Sequence, residues 1–393
     1  MCEPLMLKAA RRDGHYDFSH VFDEVRADFE SSDFVIGNLE TPLAGENAGY
    51  TRGLFSFNSP DEFADAVKGA GIDLVITANN HCLDRGTEGM ARTMAVLKQK
   101  GLPFIGTCLD PAEKSEAFYF SEGDTKIAVV AYTYGTNYSA NRVLLKDGSY
   151  PTVNLLRPQQ ELYYIPKPDE QSVSLAKKGF NCLLRHMEPE RRYAVKKALG
   201  MQYNQAHEDD NLNEQTARPF IEKMTEDIRT AKKQADIVIL ILHIGGQFNA
   251  CPGAFSKYVF SMAREAGCDA IVASHPHVVQ KASLEAGIPC YYSIGNFSMS
   301  PNSVYLLHQN LPAYGLTAQL YVEKGRIVRS TFSIVKMVEK KKEMLKVWPV
   351  DRLYGVLKPA EREALIRDIK KVYHIVTGKE VADAAAVRYE YDL

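Results

Sequence analysis

The stretch GIDLVITANNHCLDRG, Gly71 to Gly86, decides the fold. Its apolar run from Asp73 to Ala78 reads as a buried strand. Just upstream, SPDE at Ser59 to Glu62 offers a serine N-cap, a proline at the first helical position and a glutamate three residues after the serine. Phe63, Val67 and Ala70 form the buried stripe of that helix, and Gly71 closes it. Downstream, the spacing predicts a further helix from Gly86 to Lys100. Helix, strand, polar loop and helix make the repeating unit of an α/β domain. Two asparagines, a histidine and an aspartate therefore stand where a buried strand turns into a loop.

The unit recurs on both sides. Phe18, Val21, Phe22, Val25 and Phe29 share a helical face ahead of the strand DFVIG. LPFIG, KIAVVAYT, DIVILILH and DAIVAS come next as strands, with helices over Ile221 to Lys233 and Phe255 to Ala266. LTAQLYVEKGRIVRSTFSIVKMV is an antiparallel hairpin around a Lys-Gly turn, and Pro359 to Val376 reads as helix. The polar stretch between Val153 and Ala217 breaks this rhythm and is too long for a plain loop. The expected organisation is a first half-domain over 1–154, an inserted helical cap or lid over 155–217, a second half-domain over 218–340 and a helical tail over 341–393.

Composition narrows the functional classes. With 47 basic and 49 acidic residues the net charge is −2, so no overall field recruits nucleic acid. Seven scattered cysteines without a C-x-x-C pair are neither a disulfide framework nor a zinc knuckle, which suits a reducing compartment. No apolar run approaches the ~20 residues that cross a bilayer, and the opening MCEPLMLKAARRDG lacks a secretory h-region. The expectation is a cytoplasmic protein as written, or a membrane-anchored or exported one if a segment precedes it.

The polar residues of interest collect at the C-terminal ends of the apolar strands, where open α/β sheets build their sites. GNLE follows FVI, NNH follows LVITA, His243 ends IVILIL and HPH follows IVAS. Glu40, Asn80, His81, His243, His275 and His277 thus combine oxygen and imidazole donors suited to zinc, manganese or iron. A lone histidine at a strand end is usually structural; several at equivalent positions point to a metal.

GNLETPL, FNSP with GIDLVITANNHCLDRG, HIGGQFN, GCDAIVASHPHVVQ and YYSIGNF, in that order, resemble the motif series of the CapA-type poly-γ-glutamate capsule synthesis proteins. These form a branch of the calcineurin-like metallophosphoesterase superfamily. The resemblance implies an α/β/β/α sandwich with two mixed sheets and a dinuclear metal site. Glu40 would bridge both metals, Asn80, His243 and His275 would hold one, and His277 the other. His81 would stand outside the metal shell as proton donor or oxyanion stabiliser. Asp84 either fixes the His81 tautomer or caps the next helix. Asn79 braces the turn, while Asn38 and Asn296 either orient ligands and substrate or hold their turns.

Two departures qualify the resemblance. The family pattern has an aromatic residue and an acid where this chain has Ile244 and Gln247. The family also opens with a strand ending in Gly-Asp, whose aspartate is a ligand, and MCEPLMLKAARRDG resembles the segment immediately after that strand. The expectation is that the first strand and one ligand are missing from the chain as written, so that one of two divalent ions would be held tightly. The functional expectation is a metal-dependent hydrolase or transferase of poly-γ-glutamate capsule biosynthesis, partnered by that polymer or its synthesis machinery. The alternatives are a non-catalytic poly-γ-glutamate-binding accessory protein and a phosphodiesterase unrelated to capsule.

Overall fold

A computed structural model describes residues 2–51, 56–160, 207–210, 212–303, 310–339 and 345–393, with isolated positions between 179 and 195. Strands β1 (Ile36–Asn38), β2 (Leu74–Ile76) and β3 (Phe104–Ile105) form a parallel sheet in that order. They are joined by helices α1 (Glu62–Gly69) and α2 (Gly86–Lys100). A second sheet takes β4 (Phe118–Glu122), β5 (Thr125–Thr133), β6 (Ile237–His243), β7 (Ala270–Ser274), β8 (Ala282–Glu285) and β9 (Ile288–Tyr291). Helices α3 (Glu214–Lys232) and α4 (Ala254–Ala266) link its middle strands. Its order is β8-β9-β7-β6-β5-β4, with β5, β6, β7 and β9 parallel and an antiparallel strand at each edge. A third, antiparallel sheet comprises β10 (Tyr314–Glu323), β11 (Arg326–Val338) and β12 (Lys346–Pro349). Helix α5 (Pro359–Thr377) packs nearby, and β13 (Tyr391–Asp392) pairs with β11.

The apolar clusters define the layers. Ile221, Met224, Ile228, Phe255, Val259 and Phe260 from α3 and α4 bury themselves on one face of the six-stranded sheet, against Val238, Leu240 and Ile271. Each such side chain contributes about 1.5–3 kcal/mol. The opposite face meets the parallel sheet through Leu74, Ile76, Val129 and Ala131, and meets the β10–β11 hairpin through Ile127, Ile239 and Ala270. Phe63, Ala64, Val67 and Leu97 of α1 and α2 cover the outer side of the parallel sheet. The result is an α/β/β/α sandwich whose second β layer, among the described residues, is two separate sheets, one parallel and one antiparallel, rather than one mixed sheet.

Several local expectations change. Phe18 to Phe29 is a short 3-10 turn, Ser19–Val21, and a separate helix, Arg26–Glu30. Apolar residues three apart satisfy either form, and Asp17 captures the Ser19 amide at 2.9 Å, favouring the tighter turn. Helix α1 begins at Glu62 because the Ser59 hydroxyl pairs with Thr41 at 2.8 Å instead of capping. The tail carries β12 and β13 besides helices. At the insertion, Leu156 and Arg157 are buried and α3 starts at Glu214 behind its Asn213 cap, so both ends of the expected 155–217 cap belong to the sandwich. The lid itself falls largely outside the described residues.

Candidate metal centre

Register brings the loops together. His243 at the end of β6 pairs with Thr133 of β5 and with Ser274 of β7, so the chain leaves all three strands at one level. On the facing sheet Asn38 pairs with Ile76, which brings Glu40 and the Asn79–His81 turn to the same rim. Gly106, at φ 110°, lets the exit of β3 pass this turn: a Cβ there would lie 2.7 Å from the Ala78 nitrogen. Gly245, at φ 123°, does the same for the facing loop, where a Cβ would sit 2.6 Å from the Pro276 ring.

Glu40, His243 and His275 are buried and present one ligand atom each, all within 4.8 Å of one another. Asn80 joins them, its Oδ1 lying 2.9 Å from His243 Nε2, while Glu40 Oε1 lies 3.5 Å from the same nitrogen. His277 is adjacent, its ring centre 5.9 Å from that of His275 and its Nδ1 2.9 Å from Asn296 Oδ1. Asn296 in turn donates to the carbonyls of His277 and Pro312. Asn38 reaches His243 Nδ1 at 3.4 Å. Asn79 donates to Asn38 and to the Leu39 carbonyl, and accepts from the His81 amide. His81 Nδ1 lies 2.6 Å from Asp84 Oδ2, which also accepts from the Phe57 amide at 2.7 Å. The structure thus gathers all ten sequence-expected site residues into one connected region.

Protonation in this region suits metal ligation. Burial lowers the pKa of His243 to about 4. Burial likewise drives His275 well below the ordinary range, with His243, His277, His81 and Arg157 adding to it. His277 is lowered by burial against the opposing pull of Glu40 and Asn296. For Glu40, burial opposes ionisation, but the attraction of His243, His277 and His81 in their protonated forms outweighs it, so the carboxyl ionises below its usual value. Neutral imidazoles around a carboxylate are the protonation states a divalent cation requires.

The polar bonding of this cluster is incomplete. Glu40 Oε1 and both ring nitrogens of His275 are buried with no hydrogen-bond partner among the described residues. A neutral imidazole still carries one N–H, and leaving it unpaired costs about 1–3 kcal/mol. The backbone is also strained, with φ 112° at His275 and 58° at His277.

Tyr134, Asn137 and Arg157 also belong to the site, beyond the residues that the sequence singles out. The Tyr134 ring packs 4.4 Å from that of His275. Asn137 bonds Asn80 at 3.2 Å. Arg157 donates to the Tyr134 carbonyl at 3.1 Å and lies over the Tyr134 and Phe255 rings. The signal for the first two is TYGTN, which follows the strand KIAVVAYT as NNH follows LVITA.

Residues 1–300 match the family of the bacterial capsule synthesis protein PGA_cap. The chain belongs to this bacterial capsule synthesis family. The PGA biosynthesis protein CapA of Bacillus subtilis (strain 168) is 24% identical over 278 residues, covering 70% of this chain and 56% of that protein. The capsule biosynthesis protein CapA of Bacillus anthracis is 24% identical over 285 residues, covering 72% and 54%. The chain therefore spans about half the length of these capsule synthesis relatives. Among solved structures, the sulfate thiohydrolase SoxB of Thermus thermophilus, in complex with glycerol, is 14% identical over 81% of this chain and 41% of its own, with a TM-score of 0.33. At that score the likeness is slight. Among the described residues of this family member no helix is long and apolar enough to cross a membrane.

Proposed function

We propose that this chain is a metal-dependent hydrolase or transferase of capsule biosynthesis that acts on poly-γ-glutamate or works with its synthesis machinery. The observation that carries the reading is the set of buried donor atoms without a hydrogen-bond partner among the described residues, Glu40 Oε1 and both His275 nitrogens, next to His243. A divalent cation fits them: Glu40, Asn80, His243 and His275 would hold one tightly, leaving only His277 and Glu40 for a second. Mixed imidazole and oxygen donors suit manganese, zinc or iron. When bound, such ions supply Lewis acidity and an acidified water.

The chain's own residues supply positioning and proton transfer. His81 Nδ1 is committed to Asp84, which leaves Nε2 as the atom that gives or takes a proton at the substrate. Asp84 is held in turn by the Phe57 amide, and the Phe57 ring packs edge-on to His81 with centres 4.5 Å apart. Asn38 and Asn79 brace the loop that carries Glu40. A cap formed by the middle of the 155–217 segment would restrict access to this cleft.

The test measures metal content together with turnover of an aryl phosphodiester and of poly-γ-glutamate. His81→Ala should keep its metal and lose about 10²–10⁴-fold in rate, the range for a positioned acid or base. Wild-type protein with full metal content and no turnover of either substrate would refute catalysis and favour a polymer-binding accessory role.

A further inference from the structure

We propose that Asn137 is a positioning residue that turns the Asn80 side-chain amide so that its oxygen faces the metal centre. The inference rests on the metal-binding reading above. The two ends of an asparagine amide have nearly the same shape, and only the oxygen has a lone pair to offer a cation. An acceptor fixed at the nitrogen end therefore favours the orientation that leaves the oxygen facing the cation.

In this structure Asn80 Nδ2 donates to Asn137 Oδ1 at 3.2 Å and to the Tyr134 hydroxyl at 3.5 Å. The opposite end, Oδ1, lies against His243 Nε2 at 2.9 Å. The tyrosine contact is at the limit of a hydrogen bond, so Asn137 supplies the stronger acceptor. A flipped Asn80 would bring its NH₂ against His243 Nε2 and an oxygen against Asn137 Oδ1, an acceptor facing an acceptor.

Asn137 is itself held in place. Its backbone is left-handed, φ 52° and ψ 36°, a conformation asparagine tolerates better than most residues. Its carbonyl accepts from the Ala140 and Asn141 amides at 2.8 and 3.0 Å. The adjoining Thr136 is buried, with its hydroxyl accepting from Gln159 and its carbonyl from Asn141. The Asn137 amide nitrogen lies 3.4 Å from His81 Nδ1, so one side chain adjoins both the metal ligand and the proton-transfer residue.

Mn²⁺ binding is measured by titration calorimetry on the chelator-treated chain, for wild type, Asn80→Ala, Asn137→Gly and Asn137→Asp. Glycine accepts φ 52° without strain, so Asn137→Gly should keep its metal-free melting temperature. It should weaken Mn²⁺ binding by about 10-fold or more, as losing a partner behind a ligand does. Asn137→Asp keeps an acceptor at the same place and should restore the affinity. Equal Mn²⁺ affinity in wild type and Asn137→Gly, or equal loss in the glycine and aspartate variants, overturns the inference alone. Wild type that binds no better than Asn80→Ala overturns the metal reading itself.

Discussion

Replacing His275 with glycine should leave the metal-free protein about as stable as wild type while removing its response to metal. The ring contributes packing against Tyr134 and His243, with centres 4.4 and 4.8 Å away, and its loss costs about 1–3 kcal/mol for burial. Glycine adds about 0.5–1 kcal/mol of backbone entropy. Against this, the substitution abolishes an unpaired buried N–H worth about 1–3 kcal/mol. It also relaxes a φ of 112° that costs about 1–3 kcal/mol in a residue bearing a Cβ. These terms cancel to within about 1–2 kcal/mol. Excess Mn²⁺ at about 100 times its dissociation constant should stabilise wild type by about 2.7 kcal/mol and leave His275→Gly unchanged. Urea melts in chelator and in Mn²⁺ should therefore show two proteins of similar stability that separate when the metal is added. A loss above about 4 kcal/mol in chelator would mean that His275 is an ordinary core residue and that the reasoning is wrong.

Other substitutions probe the frame around the site. Asn58 is fully buried and ties Ala44, Gly45 and Gly49 with bonds of 2.7, 2.8 and 3.0 Å, closing the loop that begins at Glu40. Asn58→Ala should cost about 3 kcal/mol in urea unfolding, and a loss below about 1 kcal/mol would contradict the bond count. Burial pushes the Glu3 carboxyl up to about 7 from 4.5. A raised folded pKa favours the protonated form, so its contribution is full below about pH 4.5 and fades as pH rises through about 7, with an upper bound of about 3–4 kcal/mol. Glu3→Gln should flatten that decline in a stability-against-pH series, and an unchanged slope would show that Glu3 titrates normally. Asp209 is buried and accepts from Gly253 N, Ser256 N and the Ser256 hydroxyl at the start of α4, so Asp209→Ala should cost about 1–3 kcal/mol in thermal melts. A change within about 0.5 kcal/mol would show that this cap contributes nothing.

The strand ends are legible because strong signals coincide there. A run such as DIVILILH can only be a buried strand, and its final histidine must then emerge at the rim of the sheet. Glu40, Asn80, His243, His275 and His277 all announce themselves in this way. Asn137 obeys the same rule but is harder to see, because an amide carries no titratable group to draw attention. Its importance depends on which end of Asn80 it meets, a contact spanning 57 residues of sequence. The division of the second β layer is hidden for a related reason, since periodicity gives the strands and not their pairing. Arg157 is hidden by its neighbours, lying next to the polar insertion and reading as part of it.

The histidine loop shows why geometry of this kind does not come from local preference. A residue before proline is biased toward extended backbone with negative φ, which is the conformation that S-H-P-H predicts for His275. The structure instead gives it φ 112°, with 58° at His277 and 60° at Phe248 in the facing loop. Three such residues would relax if the loops were free. They are held because the loops are bonded to each other: the Ile244 amide donates to the Ser274 carbonyl at 2.9 Å and the Phe248 amide to the Pro276 carbonyl at 2.7 Å. Gly245 between them gives Pro276 the room a Cβ would take. The parallel pairing of β6 and β7 places these partners level, so the core overrides the local preference of the loops. The strained backbone then aims two imidazoles from alternate residues into one region, each held there by the loop bonds rather than by a relaxed local conformation.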